Sequence, residues 1–263
     1  MATILLFDIG NTHITLGAYR GDELVAMWRI TTRVDGTPDE YAVLLRSLLR
    51  QQGANGLTFD GCAIASSVPP LVSTFAELCE QHLHLKPIIV STDINTGLTI
   101  RTDSPRELGA DRIANAVAAK KLYGAPAIVI DFSTTATIFD VLDAHGDYIG
   151  TAIAPGVTTS ADALFHAAAQ LPRVELVAPA SASAIGKNTV SAVQAGLVYG
   201  YVALVEGMIV RIKKELGDRA RIIGTGEMVE LIARETKAMD VVDEGLTLKG
   251  LKMIYEMNSA IVR

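Results

Sequence analysis

Apolar residues along this chain gather in short runs, and two of these runs end in the same way. The segments 4–12 (ILLFDIGNT) and 128–135 (IVIDFSTT) each place an aspartate, Asp8 or Asp131, between an apolar run and a small polar turn. Each turn leads into a second apolar stretch, so the pattern predicts two β-hairpins that open similar halves of the chain.

The repeated aspartate and turn predict a clamp for phosphate groups. In each copy a buried strand carries one carboxylate at its end, and the turn supplies backbone N–H groups and hydroxyls that suit an anion. For one copy alone, an ordinary hairpin whose aspartate and threonine only stabilise the turn is an equally good interpretation. The occurrence of both copies favours two facing hairpins that hold one nucleotide.

Helical and extended segments alternate along the rest of the chain. The sequence TPDE at 37–40 predicts a helix start, because a threonine can cap the helix and acids suit its first turn. The other elements predicted in the first half are strands at 23–31, 61–66 and 86–91 and helices at 71–84 and 105–123. Those predicted in the second half are a glycine-rich turn at 150–156, helices at 160–169, 188–216 and 248–261, and a strand at 220–224. This order predicts an α/β fold with mixed sheets flanked by helices. We place the boundary between two domains at 117/118, giving 1–117 and 118–263.

Composition and charge narrow the class of protein. The 263 residues are 49% hydrophobic and 20% charged, which fits one large or two medium globular domains. The net charge of −6 argues against a nucleic-acid partner, because such proteins cluster Lys and Arg against phosphates.

The sequence gives no sign of secretion or of a membrane partner. Cys62 and Cys79 have no metal-ligand or redox spacing and are predicted to be buried reduced thiols. The first residues lead into Asp8 without a basic region or cleavage site, which argues against a signal peptide. No apolar run approaches the roughly 20 residues that cross a bilayer. We therefore expect a cytoplasmic protein.

The duplicated hairpins resemble a particular superfamily of ATP-binding proteins. Neither the lysine-containing Walker loop nor the three-glycine dinucleotide fingerprint occurs in the chain. The arrangement is similar to that of actin, sugar kinases, acetate kinase and the heat-shock ATPases. This resemblance implies duplicated ribonuclease H-like (actin-like ATPase) domains that close over ATP, with positioning and electrostatics supplying most of the catalysis.

Several separated motifs resemble one family, the bacterial type III pantothenate kinases, over nearly the whole chain. They are 8–12 (DIGNT), 105–112 (PRELGADR), 131–134 (DFST), 155–156 (PG), 160–164 (SADAL), 171–172 (LP), 185–189 (IGKNT) and 246–250 (LTLKG). Each motif alone is weak, and their order and spacing make the match specific. The resemblance implies ATP-dependent phosphorylation of pantothenate to 4'-phosphopantothenate, the first step of coenzyme A biosynthesis.

The acid and base at 111–112 are the candidate catalytic pair. An aspartate at the start of an otherwise apolar helix can accept a proton from an attacking hydroxyl, and an arginine can hold an anionic substrate. Without the family resemblance, a helix-start charge in a surface ion pair is the better interpretation. The resemblance implies that Asp111 is the general base. The residues that it implies for pantothenate binding are Gly109, Ala110, Asp111, Arg112, Thr102 and Thr189. The hydroxyl of Thr189 could also cap the helix that follows it.

The resemblance also assigns residues to the nucleotide and to cations. The residues that it implies around the ATP phosphates, with Mg²⁺, are Asp8, Ile9, Gly10, Asn11, Thr12, His13, Ile14, Thr15 and Thr134. Asp131 matches the position that holds a monovalent cation, K⁺ or NH₄⁺, which suits a carboxylate with several neutral oxygens. The family forms dimers through its second domain, which implies a homodimer here.

Some residues depart from the family pattern at functional positions. Ser133 replaces a glycine of the second phosphate loop, where glycine would allow close backbone approach or a positive φ. Glu227 and Thr151 replace glycines, Thr102 replaces a tyrosine of the pantothenate pocket, and His13 replaces an asparagine. These departures favour a second hypothesis, in which the chain is a catalytically impaired or altered paralogue that acts as a binding or regulatory protein. A different kinase of the superfamily is a third interpretation.

Overall fold

The computed structural model describes residues 1–51, 57–168 and 170–259, and it divides into two compact units. Unit 1 contains 1–98, 103–118 and the segment from 245 onward, and unit 2 contains 99–102 and 119–244. One junction lies next to the sequence-based boundary at 117/118. The final segment, in contrast, belongs to unit 1 and not to the second half of the chain.

The chain forms ten strands and seven α-helices within its described residues. In the first part of the chain they are β1 (Thr3–Ile9), β2 (His13–Arg20), β3 (Glu23–Thr31), α1 (Pro38–Gln51), β4 (Gly61–Ser66), α2 (Pro69–His82), β5 (Ile88–Ile89) and α3 (Ala110–Tyr123). In the second part they are β6 (Ala127–Phe132), β7 (Ala136–Leu142), β8 (Tyr148–Pro155), α4 (Val157–Ala167), α5 (Thr189–Leu216), β9 (Arg221–Thr225), α6 (Val229–Ala233), β10 (Val241–Val242) and α7 (Leu246–Asn258).

The two sheets have the same topology. The strand order is β3-β2-β1-β4-β5 in unit 1 and, reading from the corresponding edge, β8-β7-β6-β9-β10 in unit 2. In each sheet the first three strands of the unit pair antiparallel, and the other two pair parallel. The predicted pair of similar halves with mixed sheets is therefore confirmed.

Alternation along β1 and β6 places both aspartates on defined faces. Leu5 and Phe7 face a core with α1 and α2, whereas Ile4 and Leu6 face a second core with α3 and α7. Because successive side chains point to opposite faces of a strand, Asp8 lies on the face of α3 and α7 at the carboxyl end of β1. In unit 2, residues 128, 130 and 132 face the core of α5 and α6, and Asp131 lies on the opposite face.

The last helix belongs to unit 1 because its apolar face is buried there. Leu251 and Ile254 are fully buried in the core that also contains Ile4 and Ala63 of β1 and β4. Gly250 lies against the α3 backbone at Ala114, where an added Cβ would overlap the carbonyl oxygen. A side chain at residue 250 would therefore separate α3 from α7.

Some predicted elements differ from the observed ones. Residues 150–155 form most of strand β8 and not a glycine-rich turn, because each of them pairs in antiparallel register with a residue of β7. The helix expected from 105 begins only at Ala110, after a 3₁₀ turn and the extended Leu108. The predicted helix ends at 169 and 261 lie outside the described residues.

Helix α5 begins one residue after the predicted start at 188 and ends at the predicted residue, Leu216. Among the described residues it is the one helix whose length and composition would allow it to cross a membrane, with a mean hydropathy of 1.5 over its most apolar window. This is weak support for a membrane span, because core helices of globular units pass the same test. Val202, Val205 and Ile209 of α5 are buried in the core of unit 2.

Candidate functional site

The loop after β1 is a tight turn held by backbone hydrogen bonds. Asp8, half-buried, is the last polar residue of the strand and pairs in register with Thr15 of β2. The N–H of Gly10 donates to the carbonyl of His13 (3.0 Å). The N–H of Thr32, just after β3, donates to the Thr12 carbonyl (2.9 Å). These bonds fix the turn that follows Asp8.

The loop after β6 repeats this arrangement in unit 2. Asp131 is half-buried at the corresponding strand position. The N–H of Ser133 donates to the carbonyl of Ala136 (3.0 Å), and the N–H of Gly156, just after β8, donates to the Thr135 carbonyl (3.0 Å). The two loops are thus equivalent residue by residue, with Ser133 in the place of the first loop's glycine.

A third bond ties each loop to the neighbouring parallel strand. The N–H of Ser67, after β4, donates to the Ile9 carbonyl (2.9 Å). The N–H of Met228, after β9, donates to the Phe132 carbonyl (2.9 Å). Each loop is therefore fixed by one bond within the loop and by one bond to each neighbouring strand end. A phosphate site needs donors that are preorganised in this way.

The serine in the second loop replaces glycine without backbone strain. Among the described non-glycine residues only His84 and Ala182 have positive φ, so Ser133 adopts an ordinary conformation. Its Oγ donates to the Ala136 carbonyl (3.0 Å) and accepts from the Ala136 N–H (3.2 Å). The side chain therefore helps to close the turn, and the departure from glycine is accommodated within the hairpin.

Glycines let two neighbouring segments approach the second loop closely. A Cβ on Gly156 would lie 2.5 Å from the Thr134 carbonyl oxygen. Gly226 has φ +94°, and its Cβ would overlap the Asp131 carboxylate and lie 2.7 Å from the backbone N of Phe132. The Asp131 carboxylate therefore lies directly against the turn that follows β9.

Asp111 is the second residue of α3, and its surroundings shift its pKa. Its Oδ1 accepts from the Arg112 N–H (2.9 Å). Burial raises the pKa of Asp111 above its ordinary value, against the opposing effect of the Arg112 N–H and charge. A Cβ on Gly109 would lie 2.5 Å from Asp111 Oδ1, so this glycine leaves the space that the carboxylate occupies. A carboxylate with a raised pKa is a stronger proton acceptor.

Thr189 is the first residue of α5 and lines a cavity of unit 2. Asn188 is the N-cap, and its side chain accepts from the Ser191 N–H (2.9 Å) while Ser191 Oγ accepts from the Asn188 N–H (3.3 Å). The interpretation of Thr189 as the capping hydroxyl is therefore wrong. The cavity has a volume of about 700 Å³, and Thr189 lines it with Lys187 and Leu164 among others.

Two threonine hydroxyls in unit 2 are buried without a hydrogen-bond partner among the described residues. One is Thr102 Oγ1, at a position that the family resemblance assigns to pantothenate. The other is Thr225 Oγ1, at the end of β9 beside Asp131. The family resemblance places Thr225, Gly226 and Glu227 at an adenosine-side Thr-Gly-Gly motif. It does not predict that Thr225 and Gly226 lie beside Asp131, because this closeness depends on strand pairing.

The predicted site residues are distributed over both units. Unit 1 carries the loop from Asp8 to Thr15 and the segment from Gly109 to Arg112, and unit 2 carries the others. The residues in unit 2 are Thr102, Asp131, Thr134 and Thr189. No group of three or more His, Cys, Asp or Glu side chains suited to a metal ion is found in the described parts of the chain. A cation in either unit would therefore rely on few carboxylates and several neutral oxygens.

Comparison with known proteins gives one family. The family model described as type III pantothenate kinase matches residues 4–211. A type III pantothenate kinase of Roseiflexus sp. (strain RS-1) is 50% identical over 255 residues, covering 97% of this chain and 99% of the relative. A type III pantothenate kinase of Geobacillus sp. (strain WCH70) is 49% identical over 97% of this chain and 98% of its own length.

Solved structures show the fold. An activator of 2-hydroxyisocaproyl-CoA dehydratase from Clostridium difficile with bound ADPNP has a TM-score of 0.56 at 13% identity, covering 98% of this chain and 96% of its own. MreB 5 of Spiroplasma citri bound to AMPPNP has a TM-score of 0.54 at 10% identity, covering 100% and 98%. The predicted actin-like ATPase fold is confirmed.

Proposed function

This chain belongs to the type III pantothenate kinase family, and we infer from this that it transfers the γ-phosphoryl group of ATP to the primary hydroxyl of pantothenate. The product is 4'-phosphopantothenate, the first intermediate toward coenzyme A. The observation that carries this conclusion is the 50% identity to a type III pantothenate kinase over 97% of the chain. The alternative of an impaired paralogue gains no support, because the described structure accommodates Ser133 without strain.

Asp111 is the proposed general base. The hydroxyl of pantothenate is a poor nucleophile until its proton has an acceptor in the transition state, and a positioned carboxylate can supply one. Burial raises the pKa of Asp111, which supports this role because it increases the basicity of the carboxylate. At low pH the carboxyl is protonated and cannot accept the proton.

Pantothenate itself carries a carboxylate, and the proposed residues suit this anion. Arg112, next to the base, supplies a guanidinium that can pair with the carboxylate in a bidentate way. Thr189 lines a cavity large enough for a small organic acid. Thr102 offers a buried hydroxyl with no protein partner among the described residues. Gly109 and Ala110 keep the backbone next to Asp111 free of bulky side chains.

The two hairpin loops are the proposed phosphate binders. Residues 8–15 in unit 1 and Thr134 in unit 2 would supply backbone N–H groups and hydroxyls from turns that backbone hydrogen bonds close. Asp8 is the proposed partner of Mg²⁺, which bridges phosphate oxygens and neutralises their charge. Asp131 is the proposed partner of a monovalent cation, K⁺ or NH₄⁺, and a bound cation would add positive charge near the phosphates.

The proposed assembly is a cytoplasmic homodimer without nucleic-acid or membrane partners. The net charge of −6 supports the absence of nucleic acid. Strand β8 is an edge strand of unit 2, and it exposes Ile149 and Ile153 by 40% and 63%. An exposed apolar edge of this kind is suited to a contact with a second copy.

Replacement of Asp111 tests the function most directly. We expect Asp111→Asn to reduce kcat of pantothenate phosphorylation by about 10³-fold, within the range for loss of a general base. The raised pKa means that the buried charged form of Asp111 destabilises the fold at neutral pH, so the variant should unfold at the same temperature as the wild type or a higher one. Asp35→Asn, at an exposed position before α1, is the charge-matched control.

The pH dependence gives a second readout. Because the pKa of Asp111 is raised, kcat of the wild type should fall on acidification at a higher pH than an exposed aspartate would cause. Coupled measurement of ADP release with and without pantothenate checks both points. Full activity of Asp111→Asn, or ATP consumption that ignores pantothenate, would contradict the proposed function.

A further inference from the structure

The residues beside the two aspartates differ on both neighbouring strands. On the antiparallel side, Asp8 lies beside Thr15 and Asp131 lies beside Ile138. In unit 1, Asp8 of β1 pairs in parallel register with Ala65 of β4. In unit 2, Asp131 of β6 pairs in the same way with Thr225 of β9. On the side of the parallel strand, a methyl group therefore lies beside the first aspartate and a hydroxyl beside the second.

The hydroxyl of Thr225 is buried without any bonding partner among the described residues. Thr225 is 1% exposed, and its Oγ1 has no hydrogen bond. Buried polar atoms in folded proteins nearly always have a partner, so an orphaned hydroxyl requires an explanation such as a bound ion or water.

The hydroxyl lies on the face of the sheet that carries the aspartate. Ile222 of β9 faces the core of α5 and α6, and residues at odd spacing from it face the other side. Thr225 is therefore on the same side as Asp131, one strand away. Gly226 places the turn directly against the Asp131 carboxylate, because a Cβ at this position would overlap it.

We propose that Thr225 Oγ1 is a ligand of the cation that Asp131 binds, and that this hydroxyl selects a large monovalent cation. The proposal rests on the function inferred above for the presence of that cation. One carboxylate neutralises one positive charge, and a neutral hydroxyl adds an oxygen without adding charge. Such a donor set suits K⁺ or NH₄⁺ better than a divalent ion, which takes more carboxylates. In unit 1 the position equivalent to Thr225 is Ala65, which has no hydroxyl, and the threonine that pairs with Asp8 is Thr15 on the antiparallel strand.

The test measures cation binding directly and not through turnover. Thermal unfolding of the wild type is followed as KCl replaces choline chloride at constant ionic strength, with Mg²⁺ and a non-hydrolysable ATP analogue present. Binding to the folded state raises the unfolding temperature, and the midpoint of the rise gives the apparent K⁺ affinity. We expect Thr225→Val, which keeps the shape and removes the hydroxyl, to weaken this affinity by about tenfold or more.

Two further variants separate ligation from stability. Thr225→Ser restores the hydroxyl and should restore K⁺ affinity. Thr137→Val removes a buried hydroxyl that bonds to Tyr201 on the opposite face, so it should lower stability but keep the wild-type K⁺ midpoint. If Thr225→Val does not fold, Thr225→Ala makes the same deletion with a smaller side chain.

The outcomes distinguish this proposal from the function on which it rests. A wild-type K⁺ midpoint in Thr225→Val would overturn the proposal and show that the hydroxyl holds only a water. Pantothenate phosphorylation without any K⁺ stabilisation of the wild type would overturn it while the function stands. K⁺ binding that depends on Thr225, in a protein that does not phosphorylate pantothenate, would support the proposal and reject the function.

Discussion

The loops after β1 and β6 have the same pattern of backbone hydrogen bonds but different side chains. Each is closed by an internal bond and tied to both neighbouring strands by equivalent backbone bonds. The first turn uses glycine, and the second uses Ser133, whose hydroxyl bonds to the turn itself. Backbone N–H groups are therefore presented in the same way in both, because the backbone ties and not a particular side chain set the turn.

The surroundings of the loops differ more than the loops do. In unit 1, Thr32 follows β3 and its Oγ1 donates to the Gly10 carbonyl (2.6 Å). In unit 2 the equivalent residue is Gly156, and Thr159 supplies the hydroxyl to the Thr135 carbonyl (3.0 Å). The return after β9 is also longer, and it places Gly226 against the aspartate. The difference supports the separate roles that we propose for the two aspartates.

The largest expected effects come from the aspartates themselves. Asp8→Asn should lower kcat by about 10²–10³-fold, since it removes a charge proposed to hold Mg²⁺ at the phosphates. Asp131→Asn should retain more activity but lose its stimulation by K⁺. Steady-state kinetics at varied Mg²⁺ and K⁺ measures both. The exposed Asp35→Asn and Asp218→Asn are matched controls for the two units. If both variants lost kcat equally and Asp131→Asn were still stimulated by K⁺, the two aspartates would not have the different roles that we propose.

The next effect is the loss of protein stability when a glycine at either loop is replaced. Gly226→Ala should lower the free energy of unfolding by about 3 kcal/mol, because φ is positive and the Cβ overlaps backbone atoms. Gly10→Ala should cost about 1 kcal/mol, since its Cβ meets one carbonyl oxygen at 3.0 Å. Urea unfolding followed by circular dichroism compares them. A larger loss at Gly10 would mean that the first loop is the more tightly packed.

The smallest effect concerns the serine of the second loop. Ser133→Ala removes the side-chain closure of the turn and should cost about 1 kcal/mol, the usual value of one such hydrogen bond. The reciprocal variant Gly10→Ser tests whether the first loop accepts the same closure. Thermal unfolding and kinase assays are measured together. An inactive Ser133→Ala of wild-type stability would show that the hydroxyl contacts ATP and does not serve the turn.

Local patterns were sufficient to predict both hairpins. Strand alternation and turn residues act over a few positions, so the segments ending in Asp8 and Asp131 could be identified from neighbouring residues alone. The helix start at Ala110 was missed by several residues, because the extended Leu108 depends on its surroundings. The Thr189 hydroxyl was assigned a capping role as one possibility, and Asn188 performs it.

The sequence by itself determined the α/β repeat, the two turns that follow Asp8 and Asp131, and the motifs of the family. Each of these depends on residues that are close together in the chain. Only the tertiary structure decided that α7 packs in unit 1, that Thr225 lies beside Asp131, and that burial raises the pKa of Asp111. These features depend on parallel strand pairing and on exclusion of water by distant segments. Neither the pairing of parallel strands nor the exclusion of water by distant segments produces a periodic pattern of residues in the sequence.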